Sequence, residues 1–121
     1  AIEAAETINA TVVNMRFVKP IDGRLVNDIA ASHDFIVTLE ENVIAGGAGS
    51  AVNEYLSANQ LATPTLNLGL PDRYIDQASQ QQQLASCGLG TDGIIKSITS
   101  SSFYRAGFNI QDSLEKKPTL A

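Results

Sequence analysis

The feature that most restricts the fold is an alternation of texture: short β-branched runs separated by stretches long enough to hold a helix. Thr11-Val12-Val13-Asn14-Met15, Phe35-Ile36-Val37-Thr38-Leu39 and Thr65-Leu66-Asn67-Leu68 are the runs, and each has the composition of a β-strand. They are close to continuous apolar segments rather than alternating ones. That pattern belongs to strands covered on both faces, as in a parallel sheet between helices.

The intervening segments carry helical spacing. Ile2, Ala5 and Ile8 fall on one stripe, and Leu25, Val26, Ile29 and Ala30 on another, with Asp22 placed as an N-cap just after Pro20. Ala48, Ala51, Val52, Tyr55 and Leu56 follow the i, i+3, i+4, i+7, i+8 series. Ser79-x-x-Gln82 has the form of a capping box ahead of Leu84, and a last helix starts near Asp92 and runs through Ile94, Ile95 and Ile98. Helices between successive strands predict right-handed βαβ units and a three-layer α/β/α domain on a mainly parallel sheet. Beyond Ser102 the periodicity ends. The expected division is a domain over residues 1–102 and an irregular tail over 103–121, which holds Gly107, Pro118 and the Lys116-Lys117 pair.

Composition narrows the function classes. With 121 residues the chain makes one domain, and 44% hydrophobic residues against 17% charged ones supply a core. Thirteen acids and eight bases give a net charge of −5, so no basic field exists to hold nucleic acid. No apolar run approaches the ~20 residues of a membrane helix, and the first residues lack a signal-peptide pattern. The single cysteine, Cys87, makes no internal disulfide, which fits a reducing, cytoplasmic setting. A start at Ala1 instead of Met points to a fragment.

Each candidate site has an ordinary structural explanation beside it. Gly46-Gly47-Ala48-Gly49-Ser50 lies between a strand and a helix, where free N–H groups and the helix dipole favour an anion. The dinucleotide fingerprint fails at Val52, and no Gly-Lys-Ser/Thr of a P-loop is present. The preferred reading is that these glycines let the helix pack closely on its neighbours. Glu40 and Glu41 end the second strand, at the edge where open α/β sheets bind ligands. As adjacent strand residues they face opposite ways and make no acid/base pair. His33, the only histidine, sits in a helix-to-strand turn without a nucleophile motif and reads as an exposed turn residue. Asp72, Arg73 and Asp76 follow the third strand and suit surface ion pairs or a contact between domains. One His and one Cys make no zinc site. No complete catalytic, cofactor-binding or metal-binding set is present in the sequence.

Four segments carry a family resemblance. They are residues 14–22 (Asn-Met-Arg-Phe-Val-Lys-Pro-Ile-Asp), 31–34 (Ala-Ser-His-Asp), 38–54 (from Thr38-Leu39-Glu40-Glu41-Asn42 through the glycine cluster to Asn53-Glu54), and 67–77 with Gly69-Leu70-Pro71-Asp72. Over about residues 1–100 the chain resembles the C-terminal domain of the 1-deoxy-D-xylulose-5-phosphate synthases, which are transketolase-like enzymes dependent on thiamine diphosphate. The resemblance implies a parent that condenses pyruvate with glyceraldehyde 3-phosphate, releasing carbon dioxide, at the start of isoprenoid, thiamine and pyridoxal precursor synthesis. It implies that thiamine diphosphate and Mg²⁺ are held by other domains, whose motifs are absent here, so no catalytic or cofactor residue is carried over.

The role left for this domain is packing against the remaining domains and within a homodimer, with Glu40, Glu41, Asn42, Gly46, Gly47, Gly49 and Ser50 as the candidate interdomain surface. Family domains have a strand directly before the helix that starts here at Ala1, so the sheet is expected to lack that strand and to expose an edge. The tail after residue 102 has no counterpart in the family pattern. Two alternatives remain: a stand-alone anion-binding module built on residues 46–50, and a domain of another transketolase-like enzyme such as a 2-oxo-acid dehydrogenase β-subunit, against which Gly69-Leu70-Pro71-Asp72 weighs.

Overall fold

A computed structural model describes residues 1–107 of the chain. The elements follow in the order α1 (Ile2–Ile8), α2 (Gly23–Ser32), β1 (Ile36–Val43), α3 (Ala48–Ala58), β2 (Thr65–Leu70), α4 (Gln80–Ser86), α5 (Thr91–Ser100) and α6 (Ser102–Gly107).

Local chemistry sets most of the boundaries. Asp22 caps α2, its side chain accepting from the Leu25 N–H at 3.0 Å. The Ser79/Gln82 capping box forms as the spacing predicts and starts α4. At the other end of α1, Asn9 closes the helix in the left-handed conformation that asparagine tolerates.

β1 and β2 run parallel, Ile36 opposite Thr65 through Leu39 opposite Leu68, with an irregularity before Val43 meets Leu70. α3 connects them, which makes a βαβ unit. The sheet separates two apolar clusters. On one side Ala4, Ile94 and Ile98 pack with Phe35, Val37, Leu66 and Leu68. On the other, Val26, Val52 and Leu56 pack with Met15, Ile21 and Ile36. Phe35 and Val37 thus face α1 and α5, while Ile36 faces α2 and α3, as the period of two demands. The continuous apolar run at 35–39 is explained, because both of its faces are covered.

Three expectations are corrected. Residues 11–15 are not a strand: they follow an extended path, and among the described residues no backbone hydrogen bond ties them to a neighbour. Strand propensity alone makes no strand without a ladder to join. β1 does not end with Glu40 and Glu41 but continues two residues further, to Val43. The segment expected to be irregular from residue 103 opens with the helix α6, and residues 108–121 lie outside the described residues. Among the described residues no helix is long and apolar enough to cross a membrane.

Candidate functional site

The elements bring the glycine cluster, Glu40 and Glu41 together at the carboxyl end of β1. Glu40 lies within β1 and turns toward the start of α3. Its Oε2 accepts from the Ala48 N–H at 2.8 Å and its Oε1 from the Gly49 N–H at 3.1 Å. A helix N-terminus presents unsatisfied N–H groups and a partial positive charge, and here the chain's own carboxylate meets both needs.

The glycines make that approach possible. A Cβ at Gly47 would collide with the Glu40 carboxylate, and one at Gly49 would lie 2.5 Å from Thr38 Oγ1 and 3.1 Å from Asn67 Oδ1. Thr38 Oγ1 itself donates to Asn67 Oδ1 across the two strands at 2.8 Å. Gly46 has φ +75° with open space where a Cβ would go, so its glycine answers to backbone conformation rather than crowding. Ser50 closes the loop: its hydroxyl donates to the Ile44 carbonyl at 2.9 Å and accepts from the Gly46 N–H at 3.1 Å.

The seven candidate interdomain residues therefore divide. Gly47 and Gly49 are buried, Glu40 and Ser50 are half-buried and bonded within the loop, and Glu41, Asn42 and Gly46 are exposed. Glu41 points away from Glu40, as adjacent strand positions require, and its Oε2 accepts from Gln80 Nε2 at 2.9 Å. A shallow cleft of about 270 Å³ opens beside it, lined by Ala1, Leu39, Glu40, Glu41, Leu84 and Leu89. Nothing in the spacing of Gln80 pointed to it as Glu41's partner, since 39 residues separate them.

The remaining candidates do not join this cluster. His33 is exposed, its Nε2 2.9 Å from Thr11 Oγ1 and its Nδ1 within 3.2 Å of the Ile29 carbonyl and 2.9 Å of Ser32 Oγ. Asp72, Arg73 and Asp76 lie on an exposed turn after β2. Among the described residues no group of three or more His, Cys, Asp or Glu side chains is placed to hold a metal ion.

A diphosphate does not fit the glycine loop. Two of the N–H groups that would cradle it are already taken by Glu40, and its negative charge would lie against that carboxylate. The loop's N–H groups at Gly46, Ala48 and Gly49 find their acceptors within the chain. The loop offers no vacant anion cradle.

Comparison with known proteins places the chain in a family. Residues 1–94 match the family described as transketolase, C-terminal domain. The chain is 55% identical over 98 residues to the 1-deoxy-D-xylulose-5-phosphate synthase of Methylobacillus flagellatus, covering 81% of this chain. Against the enzymes of that name from Nitrosospira multiformis and Haemophilus influenzae it is 56% identical over 97 residues and 57% over 98. In each case the match covers 16% of the relative's length.

Proposed function

This chain belongs to the transketolase C-terminal domain family, and from that membership we propose that it serves as the C-terminal domain of a 1-deoxy-D-xylulose-5-phosphate synthase. The observation that carries the proposal is an identity above one half across four-fifths of the chain to three such synthases. The parent enzyme condenses pyruvate with glyceraldehyde 3-phosphate in the cytoplasm, with thiamine diphosphate and Mg²⁺ bound by its other domains. The proposed domain spans residues 1–102, with α6 packed against it at the start of the segment 103–121.

The role of the domain is architectural. Glu41, Asn42 and Gly46 are the part of the carboxyl edge free to meet the remaining domains or the second subunit of a homodimer. Glu40, Gly47, Gly49 and Ser50 hold that edge in shape from within. A stand-alone anion-binding role is disfavoured by the Glu40 carboxylate at the start of α3.

The test uses the purified chain and a synthase truncated to remove the matching region. Titration of the chain alone with thiamine diphosphate and Mg²⁺ is expected to give no heat of binding, and adding the chain to the truncated synthase is expected to restore turnover. Replacing Glu41 and Asn42 together by arginine should weaken that rescue without unfolding the chain. Cofactor binding by the chain alone, or rescue indifferent to the double replacement, would overturn the respective part of the proposal.

A further inference from the structure

Residues 71–78, Pro-Asp-Arg-Tyr-Ile-Asp-Gln-Ala, leave the carboxyl end of β2 and lead to α4. Both ends of this segment are rooted on the edge that carries Glu41 and Asn42. Before its start, Gly69 packs so closely on Asn42 that a Cβ there would lie 2.7 Å from the Asn42 carbonyl oxygen. Just past its end, Gln80 Nε2 donates to Glu41 Oε2 at 2.9 Å. A body laid over Glu41 and Asn42 therefore meets this protrusion as well. Two hydrogen bonds fix the segment on either side of Tyr74. The Arg73 N–H donates to the Pro71 carbonyl at 2.8 Å, and the Asp76 carbonyl accepts from Gln83 Nε2 at 3.1 Å. Tyr74 between them is fully exposed, and among the described residues no hydrogen bond or ring contact reaches its side chain. Arg73 is exposed too, and among the described residues no carboxylate pairs with it, although Asp72 and Asp76 are close in sequence. A cleft of about 390 Å³ opens beside Arg73, Ile75 and Gln82. Tyrosine and arginine are the side chains that anchor protein contacts, and holding them in place beforehand lowers the entropy lost on docking.

We propose that Tyr74 anchors the contact between this chain and the remaining domains of its own synthase polypeptide. Its ring enters an apolar pocket there, and the Arg73 guanidinium meets a carboxylate at the rim of that pocket. The proposal rests on the assignment of the chain as a synthase domain, and the occupant follows from it. The chain matches 16% of the length of its relatives, so the polypeptide that covers the edge is tethered to it. Tethering gives an effective concentration of roughly millimolar order, at which a contact of modest intrinsic affinity stays closed.

The test compares nitration of Tyr74 by tetranitromethane, read by peptide mass spectrometry, in the purified chain and in an intact synthase that ends in this sequence. Half-buried Tyr55, whose hydroxyl donates to the Gly23 carbonyl, is the internal reference in both. Relative to Tyr55, Tyr74 is expected to react roughly tenfold more slowly, or less, in the intact synthase. Arg73→Ala is expected to remove part of that protection. Equal rates in a synthase that turns over overturn the inference and leave the domain assignment standing. A synthase ending in this sequence that makes no 1-deoxy-D-xylulose 5-phosphate overturns the assignment, and the inference falls with it. Protection that Arg73→Ala leaves whole overturns the part given to Arg73. Protection already present in the purified chain at micromolar concentration, and lost on dilution, assigns the ring to a second copy and overturns the inference as well.

Discussion

Glu40 and Ala48, eight residues apart, are joined by a hydrogen bond of 2.8 Å from the Ala48 N–H to the Glu40 carboxylate. The bond ties a strand to the first turn of the helix that follows it. Because α3 has no side-chain cap of its own at Gly47, the cap comes from β1, and it orients the loop between them. A charge-assisted bond to a helix N-terminus contributes more than an ordinary surface hydrogen bond.

Glu40→Ala is expected to destabilise the chain by about 1–3 kcal/mol, since it leaves the N–H groups of half-buried Ala48 and buried Gly49 without an acceptor. Urea unfolding followed by circular dichroism measures it. A change below about 0.5 kcal/mol, the usual range for surface positions, would show that water replaces the carboxylate without cost.

Gly47→Ala acts through the same contact, because its new methyl group takes the space of the Glu40 carboxylate. Alone it is expected to cost about 1–3 kcal/mol. In the Glu40→Ala background most of that cost should vanish, a coupling that a double-mutant cycle reads directly. Additive effects would place the strain of Gly47→Ala elsewhere in the loop.

Leu56→Ala and Ile98→Ala probe the two sides of the sheet separately. Both side chains are buried, in the α3 and α5 clusters respectively, and each truncation is expected to cost about 2–4 kcal/mol. Ile2→Ala, at a position 66% exposed, should stay within about 0.5 kcal/mol. If Ile98→Ala were as mild as Ile2→Ala, the α1–α5 layer would not belong to the cooperative unit.

Asp22→Ala and Ser79→Ala remove caps of similar chemistry in different surroundings. Each costs about 1 kcal/mol of local helix stability, but α2 buries Val26 whereas α4 buries no residue. Global unfolding is therefore expected to register Asp22→Ala and to miss much of Ser79→Ala. Amide hydrogen exchange in α4 should report the latter as faster local opening.

Much of the architecture was legible in the chain's own pattern because it rests on local rules. Asp22 and Ser79 announce helix starts through hydrogen bonds to residues three positions away, and the apolar stripes of α2, α3 and α5 mark the faces that must be buried. The run at 35–39 declared a strand covered on both sides. The close packing expected at the glycine cluster holds at Gly47 and Gly49, although the group filling the space could not be named.

The misreadings came from contacts between distant segments. Residues 11–15 have the composition of a strand, yet a strand exists only when another backbone completes its hydrogen bonds, and no propensity encodes that neighbour. Glu40 and Glu41 look alike in sequence. Their opposite facing follows from the pleat of β1 and was expected, but that Glu40 is the one turned to α3 and Glu41 the one turned to Gln80 was not readable. Local hydrogen bonding and periodicity are written along the chain, whereas which carboxylate faces a helix terminus, and which strand edge stays open, depends on how the assembled layers meet in space.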